Sequence, residues 1–485
     1  MKRIYVFLIF LLAGSFCKGQ DTLKAGFNKR YTVNQLRADF VFFRTILEKA
    51  HPSLYRYMPK DSMDRYFDAG MAKIDHPLSE LEFWESLQYI TAKICSGHTD
   101  LNPAKTTYQD YEKAPHCLLP FRVYIHNNRL YVKSYLNYAD TSYKIGSEIL
   151  AVNNESASAI LTRERALVTG DGYTNSFKDF KLERYLFNYL YNLLHGDQYQ
   201  FMVLFRSPEG GVKRALLKAA NMKFNGGIVA AKTEKIVPRL SYPADMPATA
   251  ILNIAHFTYS DYFNFHKRLF RELRHNQIQN LVIDLRGNPG GRGDVCIDMM
   301  QYLMKKDFYF TLMEEGSVSQ SRFTYLAEQA KKTSIPLDLN VVDHSPYSTH
   351  YDFNSPQSLA MNRFKGKVYL LVNRGTFSAA SLFTIALKKQ MDCVVIGEET
   401  GGGVAGCDGG TIVNVKLPNT QFELEMPVMW TYSVDKAPAY SGGLKPDIVF
   451  SPTIAEISDM LTRRIDPVMA ILKKTIATAD TNAKQ

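Results

Sequence analysis

The chain has 485 residues, of which 46% are hydrophobic and 22% charged, with a formal charge of +10. That length holds about two to four domains, and the composition excludes a disordered or fibrous chain. The basic residues are spread along the chain, with Lys2, Arg3 and Lys18 at the amino end. No basic face is concentrated enough to point to a nucleic-acid partner.

Residues 1–20 combine a basic start, an apolar stretch from Ile4 to Ala13 and small residues after it. This is the pattern of a secretory signal peptide, with cleavage near Gly19–Gln20. The stretch is short for a membrane span, so no stable membrane insertion is expected. The protein is expected to be exported, to a periplasmic, extracellular or cell-surface location. Phe16 stands directly before Cys17, where a lipidation site favours a small residue. Beyond it Cys95, Cys117, Cys296, Cys393 and Cys407 remain. Their number is odd and no pair has metal-ligand spacing. The expectation is buried free thiols, with no metal and no cofactor.

An apolar stripe of Leu36, Phe40, Phe43 and Leu47 predicts a helix within residues 29–55, capped by Thr32 or Asn34 and closed by Pro52. Asp61–Ile74 and Leu78–Ile94 read as two more helices, the second with acidic residues in its first turn. This helical region ends in Ser96-Gly97-His98-Thr99-Asp100. A loop histidine is usually solvated or structural, but its pKa range suits general base work if a nucleophile approaches it. Asp100 is a candidate to orient it.

Leu118–His126 and Leu130–Val132 read as a strand pair around an Asn127-Asn128-Arg129 turn. A helical stretch, roughly 157–194, precedes two more strands, Gln200–Arg206 and Val212–Leu217. The run Ile145-Gly146-Ser147-Glu148-Ile149-Leu150-Ala151-Val152-Asn153-Asn154 resembles a PDZ domain. Ser147 and Asn154 depart from that family's usual Asp and Gly. The resemblance implies a sheet edge open to an extended peptide; the alternative is a structural domain with an occluded groove.

Ala248–Ile254, a helix over Tyr259–Arg274, and Ile278–Asp284 form a β-α-β unit. The second strand runs into Arg286-Gly287-Asn288-Pro289-Gly290-Gly291. Such a turn permits close backbone approach and lends its N–H groups to an anion pocket. Asp294–Leu303 reads as a helix, Val368–Val372 and Val394–Ile396 as further strands, and Thr411–Leu417 and Phe422–Pro427 as a closing pair. A final helix near 466–475 reads as peripheral. Alternation of apolar strands with helices predicts a mostly parallel sheet.

Ser378 lies between the Val368–Val372 strand and a helix over Ala379–Lys389. It is either a helix cap or a nucleophile served by the free N–H groups of the helix start. No Gly-x-Ser-x-Gly surrounds it, which disfavours an α/β-hydrolase.

Four stretches in order, SGHTD (96–100), IDLRGNPGG (283–291), TFSAASLF (376–383) with VVIGEETGG (394–402), and GGLKPDIV (442–449), resemble the S41 family of serine peptidases. The similarity spans about residues 90–455. It implies an α/β, more broadly α+β multidomain, protein with a crotonase-like ββα peptidase core. The organisation is then 1–20 signal peptide, 21–115 helical region, 116–230 PDZ-like domain with a helical insertion, 231–455 peptidase core, and 456–485 carboxyl-terminal helix and tail. Carried over by residue, Ser378 is the nucleophile, and the Ala379 N–H with that of Gly290 or Gly291 supplies the oxyanion donors. The family's processing proteases place a lysine in the glycine turn that here reads Gly401-Gly402-Gly403. Lys388 and Lys389 lie too far along the helix to replace it. The tricorn-like branch uses a histidine, matched by His98, with a second serine near Ser96 and an acid near the carboxyl end. Asp435 is the candidate acid, with Glu423, Glu425 and Asp447 as alternatives. The expected activity is acyl-enzyme hydrolysis of peptides or proteins, including their carboxyl-terminal regions. The alternatives are a non-catalytic peptide- or apolar-ligand-binding protein on the same fold, and another serine hydrolase such as an esterase.

Overall fold

A computed structural model describes residues 27–137, 142–223, 237–333, 351–434 and 442–482. The leader at 1–20, Cys17 and Asp435 fall outside the described residues. Among the described residues no helix is long and apolar enough to cross a membrane.

The site is carried by a mixed six-stranded sheet. Its strands are Arg239–Ser241, Thr249–Asn253, Asn280–Asp284, Lys367–Val372, Cys393–Gly397 and Ile448–Val449, in that spatial order. Arg239–Ser241 is an antiparallel edge, and the remaining pairings are parallel. Every residue of Asn280–Asp284 is buried, as strands covered on both faces require. Successive side chains point to opposite faces. Leu281 and Ile283 therefore meet Leu269, Met299 and Phe383 of the covering helices on one face. Val282, with Tyr369 and Leu371, meets Val468, Leu472 and Ile476 on the other. The last helix, Pro467–Asn482, is thus a layer of the core and not peripheral. Its pattern looks weak because one apolar stripe on a single sheet face is all that it buries.

The amino-terminal helices are Val33–Ala50, Lys60–Ala72 and Glu80–Lys93. Thr32 with Gln35, and Ser79 with Glu82, form reciprocal capping boxes that satisfy the first helical N–H groups. Phe40, Phe43 and Leu47 pack in one cluster with Val413, Val415 and Leu424. Burying each such side chain contributes roughly 1.5–3 kcal/mol. The partners come from the Ile412–Lys416 and Glu423–Pro427 hairpin, which pairs with Asp100–Asn102. The strand just after His98 is therefore held by a hairpin from the far end of the chain.

The middle of the chain forms an antiparallel sheet in the order Val212–Lys218, Gln200–Arg206, Glu148–Val152, Arg129–Tyr135, Phe121–His126. Asn127 and Asn128 both have positive φ, 48° and 60°, as a two-residue turn between twisted strands demands. Phe121–His126 is the edge, yet its main chain is already engaged. Glu183 accepts from the Ile125 N–H at 2.7 Å, Arg374 donates to the Ile125 carbonyl at 2.8 Å, and Asn188 donates to the Phe121 carbonyl at 3.0 Å. An added peptide strand would have to displace these side chains, so this edge is occluded rather than open.

Candidate active site

Ser378 sits at the junction of the Lys367–Val372 strand and the Ala379–Gln390 helix. Its φ of +49° and ψ of −128° are strained for a residue with a side chain. Ser378 makes no cap hydrogen bond to its helix, so the helix-cap reading does not hold. The strain is held by neighbours: Thr376 Oγ1 donates to the Leu285 carbonyl at 2.8 Å, and the Phe377 N–H donates to the Asn288 carbonyl at 2.9 Å. A sharp strand-to-helix turn thus forms without the flanking glycines that usually signal it.

His98 Nε2 lies 3.1 Å from Ser378 Oγ. The His98 ring leans on Phe377, with centroids 4.7 Å apart. A Cβ on Gly409 would come within 2.7 Å of His98 Nε2, so only glycine lets that loop lie along the imidazole. Behind the ring, His98 Nδ1 is 3.4 Å from Asp408 Oδ1. The two atoms are not aligned for a hydrogen bond, and neither has a hydrogen-bond partner among the described residues. The other Asp408 oxygen accepts from the Ser53 hydroxyl. The Ser53 N–H donates to His51 Nδ1 at 3.1 Å.

A second buried carboxylate, Asp171, stands beside this pair. It accepts from the Gly97 N–H at 2.7 Å and the Gly403 N–H at 3.3 Å, tying the histidine turn to the glycine turn. Burial opposes the charged imidazole, but Asp408, reinforced by Asp171, outweighs it and raises the His98 pKa above 6.5. Burial would lift the Asp408 carboxyl, yet His98, His51 and Ser53 hold it below its ordinary range. Asp171 is pushed up to about 6, by burial first, against the pull of His98 and with the help of Asp408. Cys407 also lines the cleft, but burial drives its thiol far above the ordinary range, which leaves it no nucleophile near neutral pH.

The glycine turn after Asn280–Asp284 closes on the nucleophile. A Cβ at Gly290 would stand 2.8 Å from both the Ser378 Cβ and the Ala379 nitrogen. The Gly290 N–H, however, donates to Asn288 Oδ1 at 2.8 Å. Of the three donors expected from the sequence, Gly290 is therefore already engaged, and Gly291 and Ala379 remain. These groups open into a cleft of about 420 Å³ whose walls include Phe310, Phe353 and Leu382.

Several expected positions are not at the site. Ser96 is buried and 2.8 Å from Thr99 Oγ1, which in turn lies 2.7 Å from His51 Nε2. The extra residue Gly97 turns Ser96 away from Ser378. Asp100 does not orient His98: it accepts from Thr169 and Lys181. Asp447 binds Lys388 at the other end of the serine's helix, which also removes that lysine as a base. Glu423 pairs with Lys416, and Glu425 lies on a strand opposite Asp100. The acid at the imidazole is Asp408, in Cys407-Asp408-Gly409-Gly410, and it was not expected from the sequence. Its only local signal is a carboxylate followed by two glycines, a pattern that also describes an ordinary turn. Asp171 carried no signal at all.

A strained serine at a strand-to-helix turn, facing a histidine backed by an acid, defines a serine-hydrolase type of site on a parallel-sheet core. Residues 248–450, the stretch that includes Ser378, match peptidase family S41, which supports a serine-type peptidase. Mature CPAF, solved in complex with lactacystin, aligns with a TM-score of 0.65 at 14% identity, over 93% of this chain and 99% of CPAF. A second structure of mature CPAF gives 0.64 at 14% identity, over 93% and 98%. These likenesses show a shared fold. The photosystem II D1 C-terminal processing protease is more distant, with a TM-score of 0.42 at 13% identity over 88% and 97%. No curated protein matches the chain.

Proposed function

We propose that the protein cleaves peptide bonds through an acyl-enzyme, with Ser378 as nucleophile, His98 as general base and Asp408 as the acid behind the base. The observation that carries this reading is the 3.1 Å approach of His98 Nε2 to the hydroxyl of a strained Ser378. With the His98 proton on Nδ1, facing Asp408, Nε2 is the acceptor. It takes the Ser378 proton as Oγ attacks the scissile carbonyl, and Asp408 stabilises the imidazolium that forms. The Gly291 and Ala379 N–H groups receive the negative oxygen of the tetrahedral intermediate. His98 then returns the proton to the leaving amine, and water releases the acyl group by the same route. The Phe310, Phe353 and Leu382 walls favour an apolar side chain of the peptide in the cleft.

A fluorophosphonate probe tests the assignment. It should label Ser378 in the folded wild-type protein and fail to label Ser378→Ala. His98→Ala should slow labelling and abolish peptide cleavage. Cleavage that persists in Ser378→Ala, or labelling at another serine, would sink the reading.

A further inference from the structure

The rear of His98 holds more acid than a proton relay uses. His98 Nδ1 and Asp408 Oδ1 are buried and make no hydrogen bond, although they lie 3.4 Å apart. Asp171 completes a group in which one atom from each residue lies within 4.8 Å of the others. Two buried carboxylates therefore face a single imidazole. When that imidazole is neutral, the pocket carries two negative charges and no cation from these three residues. Desolvated like charges at such range are costly without a counter-charge.

The spacing of one pair, His98 with Asp408, suits a metal. A hydrogen bond between imidazole and carboxylate is expected at about 2.8 Å. Zinc bonds of about 2.0–2.2 Å at tetrahedral angles set neighbouring ligand atoms about 3.3–3.5 Å apart. The His98 Nδ1 to Asp408 Oδ1 separation is 3.4 Å. Asp171 keeps free lone pairs after accepting its two backbone N–H groups.

We propose that His98 Nδ1, Asp408 and Asp171 form an inhibitory site for a zinc-class divalent cation directly behind the catalytic imidazole. A cation on Nδ1 displaces the proton from that nitrogen. A neutral imidazole so bound keeps its one proton on Nε2, where it faces Ser378 and cannot accept the hydroxyl proton. The binding claim is independent of catalysis, whereas the inhibition rests on His98 being the general base. Nitrogen and oxygen ligands in this number favour zinc over magnesium or calcium, which need more oxygen donors.

The test uses full-length Ser378→Ala protein, titrated with zinc chloride against a chromogenic chelator. One zinc per chain should bind, and magnesium should not compete. Adding Asp171→Asn or His98→Ala should weaken binding at least about tenfold, no less than outer partners of metal sites contribute. Circular dichroism checks that these variants remain folded. Cobalt(II) in the Ser378→Ala protein gives a second measurement that needs no further variant: intense visible bands of a four-coordinate ion are expected. In the wild type, zinc should stop cleavage and EDTA should restore it. Absence of stoichiometric binding, binding unchanged in the folded variants, a six-coordinate cobalt spectrum, or zinc-loaded protein that cleaves at full rate would each overturn the proposal. Zinc held by these residues in a protein that never cleaves peptides would instead sustain the site and refute the peptidase assignment of Ser378 and His98.

Discussion

Among the described residues two histidine–aspartate–hydroxyl constellations stand out. In one, His98 lies between Asp408 and Ser378 and borders the cleft. In the other, His266 is fully buried, with Nδ1 2.5 Å from Asp298 Oδ2 and Nε2 2.6 Å from the Tyr259 hydroxyl. Tyr351 also donates to Asp298, at 3.0 Å. By distance alone the second set is the better triad. What it lacks is access, a strained nucleophile and free N–H groups beside the hydroxyl. The pKa directions separate the two as well. Burial dominates at His266 and lowers its pKa despite Asp298, whereas two carboxylates overcome burial at His98 and raise it. The sealed set ties the Tyr262–His275 and Gly293–Leu303 helices together. The open set borders the cleft and brings an imidazole to a serine hydroxyl. Catalytic hydrogen bonds are often longer in an unliganded site than in the complex, so the longer distances at His98 do not count against it.

The largest effect that would sharpen this contrast falls on Asp408. Asp408→Asn should lower kcat by about 10³–10⁴, because the imidazole loses the charge that fixes its tautomer. Steady-state cleavage of a peptide by the folded variant measures it, and a loss below tenfold would make Asp408 a bystander. Next comes Asp298→Ala, which strips the sealed set of its acid. It should cost about 1–3 kcal/mol of unfolding free energy for each buried donor left unpaired, His266 and Tyr351. Turnover per folded molecule should hold. Denaturant melts and active-site titration separate the two quantities, and a catalytic defect at full folding would erase the distinction drawn above.

The smallest effect is the opposite pH dependence of the two histidines. His98, with its raised pKa, stabilises the fold fully below pH 6.5, and that contribution is lost as pH rises through its folded pKa. His266, with a lowered pKa, is the reverse: the unfolded chain binds the proton more readily, so stability falls as pH drops below 6.5. His51, pushed down to about 4, adds to the second trend. Comparing the pH dependence of melting for wild type, His98→Ala and His266→Gln resolves the signs. Slopes of the same sign in both variants would contradict the assignment.

Much of the scaffold was legible in the sequence. Apolar periodicity located the helices and the parallel strands, and the capping residues Thr32 and Ser79 stood where helices begin. The approach of His98 to Ser378 followed from motif order rather than from any local property. Asp408 and Asp171 were not, because the approach of a carboxylate to His98 is set by loops that carry no period. Gly290 illustrates a finer limit. Its place beside the nucleophile followed from the glycine turn, but the diversion of its N–H to Asn288 depends on one side-chain rotamer. The occluded sheet edge depends likewise on Glu183 and Arg374, which come from segments remote from that strand.

The contact between His98 and Ser378 joins residues 280 positions apart, and that between Ser53 and Asp408 joins residues 355 apart. Closing loops of such length adds little free-energy cost per added residue, about 0.6 kcal/mol for each doubling. Its weight falls on time, since chains dominated by distant contacts fold slowly. A ribosome must deliver both halves before serine, histidine and acid can meet. On the proposed mechanism every shorter nascent chain lacks one of the three groups, which sets a delay between synthesis and the power to cut.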